Sequence, residues 1–399
     1  MISRHSAETG KPEPTRRYFD WAATAIPDEP SQGFPLKGFP PGGGPLGNPS
    51  SMHREGRLAR EALESARAGC AGILGVPAET LYFTSGGTEA NCIPLYSSLT
   101  RQGAGRTIAS RGEHSSVGEN LKNLERLGKR IGFVPIDSQG RVTPALLSQT
   151  LEKHPDTRFA AIMAVNNETG TINDMAALGA TLRAFGGPPI HLHCDIAQAI
   201  GKTPLDIAGW DLDSASLSGH KIGAPRGIGL LYLRKPVDAL CLGGGQERKV
   251  RSGTENVAGA LALAASLENH AHPEKFRAGH ERARLRWKRL LGALRGIDRC
   301  RLIPEERGID DDGFSPYILQ VAFRDVPGEV MARALDDLGF AVSTGAACSF
   351  ASPERPVLAA MGIDDNLGLE GIRISQGRST TDDEIDDLLA AIAEVLKFL

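Results

Sequence analysis

Between Leu81 and Leu233 the chain alternates short β-prone runs with helical stretches, and this narrows the possible folds further than anything else in the sequence. Strand-like runs at 81–84, 106–110, 131–135, 159–165, 190–194 and 228–233 are separated by helical patterns at 91–98, 115–129, 144–153 and 172–185. In the stretch 115–129, Val117, Leu121 and Leu124 recur at helical spacing and share a face. Strands joined by helices run parallel, because a crossover of that length returns the chain to the same end of the sheet. The pattern predicts an α/β unit with a mostly parallel sheet flanked by helices. A further helix, 54–74, closes at Gly75 just before it.

After Thr254 the texture changes. A long helical stretch over 255–294, a strand near 317–323 and helices at 327–338 and 382–398 predict a smaller α+β domain. The division expected is a large domain over 18–264 and a small one over 265–399, to which segment 1–17 is joined. Residues 28–47 hold five prolines and six glycines, leaving no room for a helix, and read either as a linker or as a functional or interface loop.

With 45 basic and 48 acidic residues and a net charge of -3, nothing favours nucleic acid or a membrane surface as the main partner. The longest apolar runs, such as 260–267, fall far short of the roughly 18 residues needed to span a bilayer, and the first seventeen residues lack the apolar core of an export signal. Six cysteines, at 70, 92, 194, 241, 300 and 348, include no Cys-x-x-Cys pair, which argues against a zinc site and for a reducing, cytoplasmic setting. No metal ligands are assigned.

Chemistry gathers where strands end. Lys221, in Ser218-Gly-His-Lys221, sits between a small-residue turn and an apolar run; it is either a solvated charge or an amine whose pKa desolvation lowers, the condition for a Schiff base. Ser85-Gly-Gly-Thr-Glu-Ala90 places glycines and a hydroxyl between a strand and a helix, as a phosphate site or as a helix cap. Asp195 follows a buried strand and serves as a cap or as the anion that keeps a pyridine nitrogen protonated; Gln198 lies one turn on. Glu113-His114 and Asn166-Asn-Glu-Thr-Gly170 occupy the same edge, with His114 the natural acid/base or ring-stacking group. Cys348 lies in the small-residue loop 343–350; a thiol with an ordinary pKa is only about 3% ionised at pH 7, so a nucleophilic role requires activation. Arg373, in a strand-like run, holds a substrate carboxylate or a structural salt bridge.

These motifs together resemble the cysteine desulfurases of the class V aminotransferase group, pyridoxal-phosphate enzymes of fold type I. The resemblance covers roughly residues 18–398 and includes Tyr18-Phe-Asp-Trp-Ala-Ala-Thr24, Asn48-Pro-Ser-Ser51, Gly244-Gly-Gln-Glu-Arg248 and Arg251-Ser-Gly-Thr254 besides the motifs above. It implies Lys221 as the lysine bonded to the cofactor, Asp195 on the pyridine nitrogen, Gln198 and Asn167 near the ring hydroxyl, and His114 stacked over the ring. It implies Gly87, Thr88, Ser218 and His220 around the phosphate, Thr254 reaching the phosphate of the other subunit of a homodimer, and Arg373 on the cysteine carboxylate. L-Cysteine would lose sulfur to Cys348, giving alanine and a persulfide that passes to an acceptor protein. The 25 positions from Cys348 to Arg373 fit the branch with the longer cysteine loop, associated with iron–sulfur cluster and thiolation pathways. A selenocysteine lyase or a class V aminotransferase on the same scaffold is the alternative; a transaminase needs no nucleophilic thiol. A non-catalytic scaffold or sulfur-pathway partner has no need of Lys221, Asp195, His114 and Cys348 together. The chain departs from the family at Trp21, where asparagine is usual, and over 28–47, where a helix is usual.

Overall fold

In a computed structural model that describes residues 15–28, 47–100, 105–239, 241–345 and 355–399, the first elements are a short strand β1 (Arg17–Tyr18) and helix α1 (Arg54–Leu74). A seven-stranded sheet follows: β2 (Leu81–Thr84), β3 (Arg106–Ser110), β4 (Ile131–Val134), β5 (Thr157–Ala161), β6 (His191–Asp195), β7 (Ser214–Ser218) and β8 (Gly229–Leu233), in the order β2-β8-β7-β6-β5-β3-β4. Only β8 in this sheet runs against its neighbours β2 and β7; the other pairs are parallel. Helices α2 (Gly87–Thr100), α3 (Ser115–Arg126), α4 (Pro144–Lys153) and α5 (Met175–Ala184) lie between successive strands.

The predicted α/β class is observed, and alternate residues of single strands show why both faces are covered. Ile108 and Ala160 join the cluster that includes Leu63 of α1, whereas Ala109, Phe159 and Ala161 join Val117, Leu121 and Leu124 of α3.

β7 is absent from the strands expected above. Its Ser-Ala-Ser-Leu-Ser sequence reads as polar, yet all five residues are buried. The serine hydroxyls find internal partners: Ser214 meets His191 and His193, and Ser216 donates to Asn91.

The helix expected over 255–294 is two helices, α6 (Val257–His270) and α7 (Pro273–Arg295). Pro273 has no N–H to continue α6 but fits the first turn of α7. Helix α2 starts at Gly87, four residues before the predicted 91, because its first turn is built from the glycine motif itself.

A second sheet, ordered β12-β10-β9, is antiparallel and contains β9 (Cys300–Ile303), β10 (Ile318–Phe323) and β12 (Gly371–Ser375). Around it lie α8 (Gly328–Asp337), β11 (Phe340–Ala341), α9 (Pro356–Ala360), α10 (Asp365–Glu370) and α11 (Asp382–Phe398). Its core joins Leu290 and Leu294 of α7 to Leu319, Val321, Ile372, Ile374, Leu388 and Ile392. The Thr381/Glu384 capping box starts α11.

Residues 17–28 lace the two sheets together. β1 pairs with β11, Phe19 is fully buried in the second core, and Asp20 bridges Ser375. Further on, Ala25 N donates to His220 O at 2.8 Å and Asp28 N to Gly223 O at 2.9 Å. Of the Gly/Pro-rich stretch 28–47, residues 29–46 lie outside the described residues.

Candidate active site

The carboxyl ends of β6 and β7 and the first turn of α2 converge on Asp195, which is 7% exposed. Its carboxylate accepts from Ala197 N at 2.9 Å and from Asn91 Nδ2 at 2.8 Å. Asn91 Oδ1 accepts from His193 Nε2 at 2.8 Å and from the Ser216 hydroxyl. Burial pushes the His193 imidazole down to about 3, so the ring is neutral. The network assigns its proton to Nε2, leaving Nδ1 to accept from Ser214. A chain of neutral donors thus holds one carboxylate in place.

His114 caps α3 with Nδ1, which accepts from Ser116 N at 3.1 Å and meets Ser116 Oγ at 2.9 Å. Its remaining proton therefore sits on Nε2. Burial depresses its pKa, the charges of Lys221 and Arg373 lower it further, and that of Asp195 opposes them. Ser116 Oγ also accepts from Asn91 Nδ2 at 2.8 Å, which joins His114 to the Asp195 network.

The glycine turn after β2 lies against Ser218, the last residue of β7. Gly86 has φ 152°, and a Cβ on Gly87 would stand 3.2 Å from Ser218 Cβ. Thr88 is exposed and Ser218 is buried. Glu89 closes the turn by accepting from Ser85 N at 2.5 Å and from Arg251 Nε at 3.0 Å. Burial raises the Glu89 pKa, but these hydrogen bonds more than offset it and hold the group below its ordinary value.

Gly219-His220-Lys221 forms a single 3-10 turn after β7. Lys221 Nζ donates to the carbonyls of Ala22 at 2.7 Å and Ala23 at 2.8 Å. His220 Nδ1 meets Thr24 Oγ1 at 3.1 Å, and burial, with Lys221 beside it, pushes the ring down to about 4. Gln198 is 4% exposed; its Nε2 donates to the Ala22 carbonyl at 2.8 Å and its Oε1 accepts from Lys202 at 2.7 Å.

Arg373, 2% exposed, splits its fork between the Asn167 carbonyl at 2.9 Å and Asp20 Oδ1 at 2.8 Å, while its Nε has no partner. The salt bridge foreseen as one alternative for Arg373 is therefore present, with one donor to spare. Backbone bonds between Arg373 and Ser343, and the clamp of Arg355 on the Thr344 carbonyl, fix both ends of the cysteine loop beside this arginine. Cys348 lies outside the described residues, which end at 345 and resume at 355. Thr254 is exposed.

Lys221, Asp195, His114, Gly87, Ser218 and His220 thus lie at or just beyond the ends of strands of the large sheet, Arg373 comes from the middle of β12 in the second sheet, and Gln198 turns to Ala22 and Lys202. The donor set fits a phosphorylated pyridine aldehyde: a glycine cradle that a Cβ would fill, a fixed carboxylate, a lysine amine and a neutral imidazole. Asn91 was not foreseen. The available signal was an asparagine on an otherwise apolar buried helix face, one turn beyond the glycine pair.

Glu113 makes the turn before His114, accepting from Ser110 Oγ at 2.8 Å and Met163 N at 2.7 Å. Burial pushes its carboxyl up from 4.5 to about 7, the hydrogen bonds opposing and Asp195 adding to the rise. A carboxyl with a raised folded pKa contributes stability in full below its unfolded value and loses it as pH climbs through the folded one. Between pH 4.5 and about 7 the urea midpoint of the Glu113→Gln protein should therefore vary less than that of wild type. Parallel profiles would refute the assignment.

Among the described residues no three-ligand metal cluster occurs and no helix is long and apolar enough to cross a membrane. Cys70, Cys194 and Cys300 are buried with thiols pushed upward by desolvation, to about 12 for Cys70 and Cys300.

The aminotransferase class-V family matches residues 45–388. A NifS/IcsS protein homolog of Lactobacillus delbrueckii subsp. bulgaricus is 37% identical over 88% of this chain and 90% of its own. The cysteine desulfurase IscS of Cronobacter sakazakii is 36% identical over 92% of this chain and 90% of its own. A solved NifS-like protein superposes with TM-score 0.85 at 32% identity, covering 96% of this chain and 100% of that one.

Proposed function

The chain belongs to the aminotransferase class-V family, and from that premise we propose that it is a pyridoxal 5′-phosphate-dependent cysteine desulfurase that moves sulfur from L-cysteine to Cys348. The observation that carries the reading is geometric: Ser116 and Asn91 join His114 to Asp195, and residues 20–23 hold both Arg373 and Lys221.

Bound cofactor supplies an electron sink that acidifies the substrate Cα–H. The protein does the rest. The Asp195 carboxylate, held by Asn91 and Ala197, would hold the pyridine nitrogen and keep it protonated. Gly87, Thr88, Ser218 and His220 would hold the phosphate, and Gln198 and Asn167 the ring hydroxyl. Lys221 moves the proton at Cα, with the Nε2–H of His114 as donor nearby. Arg373 binds the substrate carboxylate, sharing its fork with Asp20.

The Cys348 thiolate then attacks the substrate sulfur. An S–S bond forms, the Cβ–S bond breaks, and its electron pair remains with the substrate carbon. Protonation there completes L-alanine, leaving a Cys348 persulfide for transfer to an acceptor in cluster assembly or thiolation. Exposed Thr254 would hold the phosphate of a second subunit in a homodimer. A reducing, cytoplasmic setting keeps the Cys348 thiol available for attack, and acceptor thiols take up the outer sulfur of the persulfide by exchange.

A single turnover of holoenzyme with L-cysteine should yield one alanine per chain and a Cys348 peptide heavier by one sulfur atom. The Cys348→Ala protein should yield neither. Sulfide released by that variant at the wild-type rate would overturn the persulfide route.

A further inference from the structure

A cavity of about 360 Å³, lined by Lys221 but by neither Asp195 nor His114, lies between the Lys202 turn, the start of α7 and residues 377–378. Its charged lining is entirely basic: Lys202, Lys221, Lys275, Arg282, Arg286 and Arg378, with His270 beside them. Among the described residues no aspartate or glutamate lines it.

Some of these charges are answered from outside the wall. Asp28 serves both Arg378 at 2.6 Å and His270 at 2.9 Å, Asp382 meets Arg286 at 3.0 Å, and Glu268 stands 3.5 Å from Lys275. Lys221 donates to the Ala22 and Ala23 carbonyls. Among the described residues exposed Arg282 has no carboxylate within ion-pair distance, and the side chain of Lys202, 8% exposed, is given one hydrogen bond, to the neutral Gln198 amide. A buried ammonium with no counter-charge is costly, and an anion in the adjoining space would remove that cost. Burial, with Lys221 and Arg373 adding to it, pushes the Lys202 amine down to about 7.

The wall is also fixed. Trp21, the residue at which this chain departs from its family, donates to Tyr18 O at 3.0 Å and lies under the Arg378 guanidinium, 5.2 Å from its ring centre. A Cβ on Gly377 would come within 1.9 Å of the Trp21 ring, so glycine is required there. Trp21, Phe276 and Tyr317 give the cavity an apolar side opposite its charges.

We infer that this cavity is a binding site, distinct from the cofactor site, for a small organic molecule bearing two or more carboxylate or phosphate groups. Lys202 and Arg282 are its anion-holding residues and Trp21 packs against its body. The site adjoins the reaction centre at Lys221, which lines the cavity, and through hydrogen bonds: Lys202 Nζ to Gln198 at 2.7 Å, Gln198 to the Ala22 carbonyl at 2.8 Å, and that carbonyl to Lys221 Nζ at 2.7 Å.

The test is calorimetric titration of holoenzyme, whose phosphate turn is already filled by cofactor, with citrate and separately with inorganic phosphate, against sodium chloride at matched ionic strength. Saturable binding of one citrate per chain is expected, weakened about tenfold by Arg282→Gln and by Lys202→Met, as loss of a charge-assisted contact implies. Arg289→Gln, on the same basic helix but outside the cavity, should leave it unchanged. Binding of phosphate alone would identify a phosphate rather than a carboxylate ligand. Absence of saturable binding of either anion, or equal weakening by Arg289→Gln, would overturn the site. Failure of the desulfurase reading would appear in the alanine assay and leave these isotherms unaltered.

Discussion

Replacing Lys221 with alanine is expected to slow alanine formation from L-cysteine by about 10³-fold or more, the scale of a positioned acid/base group lost together with the covalent anchor of the cofactor. The geometry gives the reason. Lys221 Nζ is held by the Ala22 and Ala23 carbonyls, on a turn whose backbone is confined by Gly219, where a Cβ would meet the Ile228 carbonyl at 2.9 Å. Among the described residues no other amine is given two backbone carbonyls in this way; Lys202, the nearest candidate by burial, is committed to Gln198. Borohydride reduction of wild-type holoenzyme should attach cofactor to the Lys221 peptide, and the variant should carry no such label. Turnover by the variant within tenfold of wild type, or a label on a different lysine, would remove Lys221 from the mechanism.

The second large effect is on stability. Glu247→Gln should cost about 3 kcal/mol, the lower end of what breaking a buried ion pair costs, because Glu64 remains beside the guanidinium. Arg67 and Glu247 pair through both nitrogens at 2.8 Å with side chains 2% and 1% exposed, and Glu247 also accepts from Phe83 N at 2.9 Å. The pair ties α1 and β2 to the turn that carries Arg251 and Thr254. That turn is strained: Glu247, Arg248 and Lys249 have φ of 41°, 51° and 68°, a left-handed run without glycine that costs roughly 1–2 kcal/mol per residue. Its buried carboxylate is what holds the strain. Urea denaturation of Glu247→Gln, and of Arg67→Met with Glu247→Leu, separates the effects. The double variant should recover much of the loss by removing the orphaned charge. A single variant as stable as wild type would show that the pair contributes nothing.

Much of this protein could be read from its residues. The parallel sheet followed from strand and helix periodicity, and the polar motifs at strand ends were found because glycine turns and lone carboxylates after apolar runs are local signals. β7 escaped because a serine-rich strand looks like a loop until its hydroxyl partners are known. The break between α6 and α7 was marked by Pro273, whose meaning depends on whether the helix has already ended. Arg373 was left between a substrate contact and a salt bridge, and the fold supplies Asp20, 353 positions away, as the partner.

By itself the sequence determined which elements form and which of them end in chemistry, since hydropathy period, glycine turns and helix caps act over a few residues. Only the tertiary structure decided who meets whom. Asn91 joins Asp195 across 104 positions and His193 across 102, Glu247 reaches Arg67 across 180, and six basic residues come to face one cavity. Such contacts depend on the sheet order and on the lacing of residues 17–28, which no local pattern encodes. Burial then fixes their energies, because a charge or amide acquires its pKa and its cost from partners that folding alone brings into reach.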